Sequence, residues 1–90
     1  MRKELRQEIE LKLYRYSELR SSSWDNMIAK QIKEMPKQQQ QLFCMRYIEK
    51  KSERDICNDL HIERSTYYSW INNIISDIAI AAAYERLIEP

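Results

Sequence analysis

The sequence predicts an all-α protein of about five helices, with a C-terminal helix-turn-helix and a long final helix. Three observations support this fold class. The 90 residues include no Gly and only two Pro, Pro36 and Pro90. Residues that favour helices are abundant, and the apolar-polar alternation typical of strands is missing. Apolar residues recur instead at spacings of three and four, which is the period of an amphipathic helix.

The length favours one domain covering residues 1–90. Within it we expect N-terminal helices over residues 1–35, with a role in self-association, and a helix-turn-helix region over residues 37–80. A chain of this size has a modest core, and partner chains often help such chains to bury apolar surface.

The first helix is predicted from Arg2 to about Arg20. Its apolar residues lie along one face at spacings of four, four, three and three: Leu5, Ile9, Leu13, Tyr16 and Leu19. The segment SSSWD at 21–25 supplies hydroxyls suited to capping a second, shorter helix. Pro36 should end that second helix, because its ring clashes with a preceding helical residue, and it suits the first turn of the next one.

Two further helices are predicted before the turn. The third runs from about Lys37 to Glu49 and is rich in apolar side chains in its second half. Ser52 can cap a fourth helix over residues 53–60, because a serine hydroxyl accepts a hydrogen bond from the first free N–H groups. The apolar face of this fourth helix consists of Ile56, Cys57 and Leu60.

The final helix follows a short turn at His61 and Ile62. We expect His61 to adopt the left-handed conformation there, and Ser65 to cap a helix that begins at Thr66. An apolar stripe continues along this helix: Tyr67, Trp70, Ile71, Ile74, Ile75, Ile78, Ala81 and Ala82. The stripe runs on to Leu87, further than one short helix pair covers, and therefore predicts a homodimer.

Residues 53–76 satisfy the packing rules of a DNA-reading helix-turn-helix. This motif needs a small residue at the helix crossing, an apolar residue in the turn and two apolar anchors on the second helix. Cys57, Ile62, Tyr67 and Trp70 occupy these positions. The opposite side of the second helix carries short hydrogen-bonding side chains, which can reach base edges and phosphates: Ser65, Ser69, Asn72 and Ser76, flanked by Tyr68 and Asn73.

The segment LFCMRYIEKKSERDICNDLHIERSTYYSWINNIISDIA, residues 42–79, resembles region 4 of bacterial sigma factors and the helix-turn-helix of small phage late-gene regulators of the ArpU/RinA type. The first helix, with its Tyr-rich end, is also similar to those regulators. This resemblance implies sequence-specific DNA binding at a promoter. It places these residues at reader positions: Arg64, Ser65, Thr66, Tyr68, Ser69 and Asn72.

The charge distribution gives partial support to DNA binding. The net charge is +1, divided as +2 over residues 1–20, +3 over 21–51 and −4 over 52–90. Lys50 and Lys51, just before the motif, are predicted to meet phosphates. The exposed polar side chains could equally be an ordinary solvated helix surface.

Other chemistry finds little support in the sequence. Without Gly, no phosphate-binding loop or dinucleotide fingerprint forms, and the acidic pairs lack a nucleophile or a histidine base. We therefore expect no enzyme and no cofactor. Cys57 and His61, with Cys44, could hold a metal, but a structural zinc site normally needs four ligands, which favours reduced core thiols and a turn histidine.

Two main hypotheses follow. The first is a DNA-binding transcription regulator, encoded by a phage or prophage, that binds double-stranded DNA as a homodimer and contacts host RNA polymerase. The second is a helical protein-protein interaction adaptor without DNA binding. A small terminase-type DNA-packaging protein is a third alternative. The longest apolar stretch, residues 78–84, is too short to span a bilayer, so a cytoplasmic location without membrane contact is expected.

Overall fold

The computed structural model describes residues 2–17, 19 and 22–88. All regular structure within these residues is helical. The elements are α1 (Lys3–Tyr14), α2 (Ser23–Glu34), α3 (Lys37–Phe43) with a π-helical turn (Cys44–Ile48), α4 (Glu53–Leu60) and α5 (Arg64–Tyr84). The predicted all-α class is therefore confirmed, with its five helices, its C-terminal helix-turn-helix and its long final helix.

The first helix is shorter than predicted, because α1 ends at Tyr14 and does not continue to Arg20. After Tyr14 the chain turns toward α2, and the Ser17 N–H donates to Oδ1 of the buried Asp25 at 3.1 Å. Leu19, which was expected on the apolar face, is 88% exposed. The predicted end at Arg20 lies outside the described residues.

The boundaries of α2 follow the predicted signals. Ser22 caps this helix, since its Oγ accepts from the Asp25 N–H at 3.1 Å. Met35 has extended backbone angles at the end of α2, as expected for a residue that precedes proline. Pro36 then precedes α3, so the predicted break between the second and third helices is confirmed.

The third helix has the predicted extent but ends in a π-helical turn that the sequence did not indicate. The Glu49 N–H donates to the Cys44 carbonyl at 2.9 Å, five residues back, and so widens the turn by one residue. Lys50 then adopts a left-handed conformation with φ 57°. The consequence is that the adjacent side chains of Arg46 and Tyr47 both reach Glu10 of α1.

The start of α5 differs from the prediction by two residues. Glu63 is extended and its carbonyl accepts from the Tyr67 N–H at 3.0 Å, so the helix begins at Arg64. Ser65 therefore lies in the first turn and is not the cap, and Thr66 is not the first helical residue. The helix starts early because the turn after α4 is short and lets the helical backbone resume immediately after Glu63.

The core forms around α5, which packs against α1, α2 and α4. Ile78 and Ala82, two residues of the stripe from which a homodimer was predicted, are fully buried. The chain's own helices thus cover most of this stripe, and of Ile78, Ala81 and Ala82 only the half-buried Ala81 lies at the edge of an open surface. The exposed apolar residues of the second half of α5 are instead Ile80 and Tyr84, at 70% and 89%.

Candidate nucleic-acid interface

The turn between α4 and α5 has the geometry predicted for a helix-turn-helix. His61 adopts φ 54° and ψ 46°, which confirms the left-handed conformation. Its N–H donates to the Asn58 carbonyl at 3.4 Å, and the Ile62 N–H donates to the Cys57 carbonyl at 3.1 Å. This pair of bonds is a Schellman motif, which ends α4 and lets α5 start three residues later.

The first half of α5 has one buried and one exposed side. Tyr67, Ile71 and Ile74 are buried in the core, and the predicted anchor Trp70 is half-buried against it. The exposed side, called the reader face below, consists of Ser65, Ser69, Asn72 and Ser76. The flanking residues Tyr68 and Asn73 are also exposed, whereas Thr66 is half-buried at the border of the two sides.

Glu53 of α4 holds two of the predicted reader residues. Its Oε1 lies 2.8 Å from Nε of Arg64, and its Oε2 accepts from the Tyr68 hydroxyl at 2.5 Å. The Arg64 guanidinium also lies 5.7 Å from the centre of the Tyr68 ring, close enough for a cation–π contact. In the free protein Arg64 is therefore paired with a carboxylate, although its side chain remains 76% exposed.

Arg6 of α1 contacts the reader face. One of its terminal nitrogens, Nη2, donates to Oδ1 of Asn72 at 2.7 Å. The sequence does not indicate this contact, because no local pattern tells which helix α1 packs against. The contact brings a positive charge from the N-terminal helix to a surface on the acidic C-terminal segment.

The two predicted phosphate-contacting lysines are already engaged within the chain. The Lys50 ammonium donates to the carbonyls of Tyr14 and Tyr47 at 3.0 and 3.1 Å. Lys51 pairs with Asp59 at 3.2 Å and with Glu49 at 3.7 Å. Lys50 thus joins the end of α1 to the π-helical turn, while the ion pairs of Lys51 are exposed enough to exchange with a phosphate.

Arg46 fixes the position of α5 behind the reader face. Its guanidinium donates to the Tyr67 hydroxyl and, at 3.1 Å, to Glu10 Oε1. It also lies within 5.3 to 5.7 Å of the ring centres of Tyr14, Tyr47 and Tyr67. Because Tyr67 belongs to α5 and Glu10 to α1, this network sets the relative position of the two helices.

The cysteines and the histidine show no metal-binding arrangement. No disulfide joins Cys44 and Cys57, and both are half-buried. Burial raises the pKa of the Cys57 thiol, and the neighbouring Glu53 acts in the same direction. Over residues 2–17, 19 and 22–88, no three side chains of His, Cys, Asp or Glu come together as a metal site.

An open groove lies between α2 and α5, about 470 Å³ in volume. Lys30 and Gln31 line one side, and Asp77, Ile80, Ala81, Tyr84 and Glu85 line the other. The groove thus combines the two most exposed apolar side chains of α5 with charges of both signs.

None of the helices in the described part of the chain has the length and apolar character required to cross a membrane.

The comparisons with known proteins assign a family to this chain. No curated protein and no solved structure matches it significantly. A family model described as "Protein of unknown function (DUF1492)" matches residues 3–79, which extend from α1 through the reader face. That description names no activity. The chain belongs to the DUF1492 family.

Proposed function

We propose that this protein is a sequence-specific DNA-binding transcription regulator that reads the major groove with the first half of α5. The observation that carries the proposal is the reader face. Its short polar side chains follow a tight turn, and the opposite side of the same helix is anchored in the core. A recognition helix needs this combination, because it must be held rigidly while its free side meets base edges.

Electrostatics supports the proposal once the folded contacts are considered. The net charge of −4 over residues 52–90 opposes DNA binding, but the fold places basic groups against this segment. Arg6 reaches Asn72, and Lys51 pairs with Asp59. Arg64 and Lys51 hold exposed ion pairs that a phosphate could replace, and such exchange makes binding depend on salt.

We propose a homodimer that forms through the groove between α2 and α5, with a second copy of this chain as the occupant. A two-fold interface must be complementary to itself. The groove meets this condition, since it contains apolar Ile80 and Tyr84 together with Lys30 and the carboxylates of Asp77 and Glu85. Each copy can therefore offer both partners of the ion pairs that surround an apolar centre.

The resemblance to ArpU/RinA regulators extends this proposal. It suggests a phage or prophage protein that acts in the cytoplasm at a late-gene promoter and contacts host RNA polymerase. The resemblance also agrees with a role in binding and not in catalysis. The small terminase-type packaging protein shares the DNA contact but would act away from promoters.

The direct test is selection from random duplex DNA, followed by binding titrations at several salt concentrations. We expect one enriched sequence, and half-sites of a dimer about 10 base pairs apart or a multiple of that. Asn72→Ala and Ser69→Ala should each weaken binding to the enriched site by about 1–3 kcal/mol. Asn26→Ala, an exposed asparagine on α2, is the matched control and should bind as the wild type does.

The adaptor alternative predicts a different result. If no sequence is enriched and no complex weakens with salt, the chain does not bind DNA, and the groove beside Ile80 becomes its main binding surface. If DNA binds but Asn72→Ala, Ser69→Ala and Arg64→Ala leave the affinity unchanged in folded protein, the reader face is not the contact surface. Either result contradicts the proposal.

A further inference from the structure

The contact between Arg6 and Asn72 changes the hydrogen-bonding character of the reader face. An asparagine amide normally offers one acceptor and two donor hydrogens, and this combination pairs with N6 and N7 of adenine. Here Oδ1 of Asn72 already accepts from Arg6 at 2.7 Å. Apart from the second lone pair of this oxygen, the groups that remain for a ligand are the Asn72 amide hydrogens and the other N–H groups of Arg6, which are donors.

The positive charge of Arg6 also favours a ligand that presents hydrogen-bond acceptors. The second lone pair of Asn72 Oδ1 remains open, but the guanidinium beside it opposes the approach of the partially positive amino group of adenine. The major-groove edge of guanine instead presents two acceptors, N7 and O6. A surface of donors with a positive charge fits that edge.

We infer that Arg6 and Asn72 act as one unit that selects guanine at the base pair that Asn72 faces. This inference rests on the proposed DNA-binding function and adds a specificity-determining residue from the N-terminal helix. Because α1 packs against α5 and buries Ile9 in the core, Arg6 is held beside the reader face and does not depend on DNA to arrive there.

The test compares the base preferences of four proteins by selection from random duplex DNA. Asn72→Ala identifies the position, because one base pair of the enriched site should lose its preference. In the wild type this position should prefer guanine over adenine by about tenfold to a hundredfold. Arg6→Met, which keeps an unbranched aliphatic stem, should change the preference at the same position to adenine, since Oδ1 of Asn72 becomes available.

Lys3→Ala is the matched control. It removes one positive charge from α1, and the Lys3 side chain forms no hydrogen bond or ion pair with the described residues. The guanine preference of this variant should therefore stay as in the wild type. Thermal unfolding of all four proteins shows whether each remains folded at the selection temperature. If Arg6→Met does not fold, Arg6→Gln, which keeps a polar side chain but removes the positive charge, should still lower the guanine preference.

The outcomes separate this inference from the proposed function. A wild-type preference for adenine at the Asn72 position, or a guanine preference that the folded Arg6→Met or Arg6→Gln variant leaves unchanged, overturns the inference alone. A wild-type protein that enriches no sequence overturns the proposed function and this inference together.

Discussion

Oε1 of Glu53 lies 2.8 Å from Nε of Arg64, across the turn that joins α4 to α5. The carboxylate thus neutralises a basic group at the start of the proposed recognition helix. It also places a negative charge close to where a phosphate or a guanine would bind. If the protein binds DNA as proposed, Glu53 should therefore limit the affinity.

Glu53→Gln should bind DNA more tightly, because Arg64 becomes free to contact the DNA. The slope of log affinity against log salt should steepen by about one unit. Asp55→Asn is the matched control, since it makes the same charge change in the first turn of α4 and Asp55 forms no ion pair with Arg64. Equal effects of the two substitutions in salt-titrated binding would show that Glu53 does not restrain Arg64.

His61→Gly should leave the free energy of unfolding unchanged or raise it by up to about 1 kcal/mol, because His61 has φ 54° and a Cβ is unfavourable there. Urea unfolding measures the change. His61→Ala removes the imidazole but keeps the Cβ, and it should bring no gain. A clear loss of stability in His61→Gly, with none in His61→Ala, would mean that the turn does not have this backbone conformation.

Arg46→Lys should lower the free energy of unfolding by about 2–3 kcal/mol, even though the charge is kept. In the wild type, Nη1 and Nη2 of Arg46 donate separately to Tyr67 and Glu10, and the planar guanidinium lies near three tyrosine rings. The single ammonium nitrogen of a lysine cannot reproduce both sets of contacts in this geometry. Glu10→Gln should cost less, since the contacts of Arg46 with Tyr67 and the aromatic rings remain. Equal stability of Arg46→Lys and the wild type in urea unfolding would exclude this structural role.

Alkaline pH should destabilise the fold through Tyr47. Burial raises the pKa of the Tyr47 phenol, although the Arg46 cation opposes the shift. The folded state thus favours the neutral phenol. This contribution to stability is fully present below the ordinary tyrosine pKa of about 10 and is lost as the pH rises above it.

The free energy of unfolding at pH 8 to 11 should therefore decrease less steeply in Tyr47→Phe than in the wild type. Tyr84→Phe removes a hydroxyl from a ring that is 89% exposed in the single chain, and it serves as the control at concentrations where the protein is monomeric. If both variants flatten the profile to the same degree, burial of Tyr47 is not the cause.

Ile80→Asp should shift the protein from dimer to monomer in sedimentation at tens of micromolar. The substitution places a charge in the apolar centre of the groove between α2 and α5, where Ile80 is 70% exposed and makes little contribution to the monomer core. Leu11→Asp, at 47% exposure on α1, is the control outside the groove. A wild-type monomer, or a dimer that Ile80→Asp leaves intact, would contradict the proposed interface.

The helices and most of their boundaries follow from local features of the sequence. Pro36 and the hydroxyls of Ser22 and Ser52 act on their immediate neighbours, so local rules place the ends of α2 and the start of α4. The left-handed turn at His61 was also predictable, because a short connection between two periodic segments needs such a residue. The exposed and buried sides of α5 follow from the spacing of its apolar residues, which recur every three or four positions.

The surroundings of the reader face and the cover of the long apolar stripe depend on how the helices pack together. Ser17 and Asp25 end α1 early, and the π-helical turn directs Arg46 toward α1 and Tyr67. Arg6 reaches Asn72 of the reader face across 66 residues of sequence, and Glu53 reaches the neighbouring Arg64 across 11. Ile78 is buried by helices that lie far from it in the sequence. Periodicity shows which side of a helix is apolar, but not which helix packs against it, because that choice depends on how all five helices fill one core.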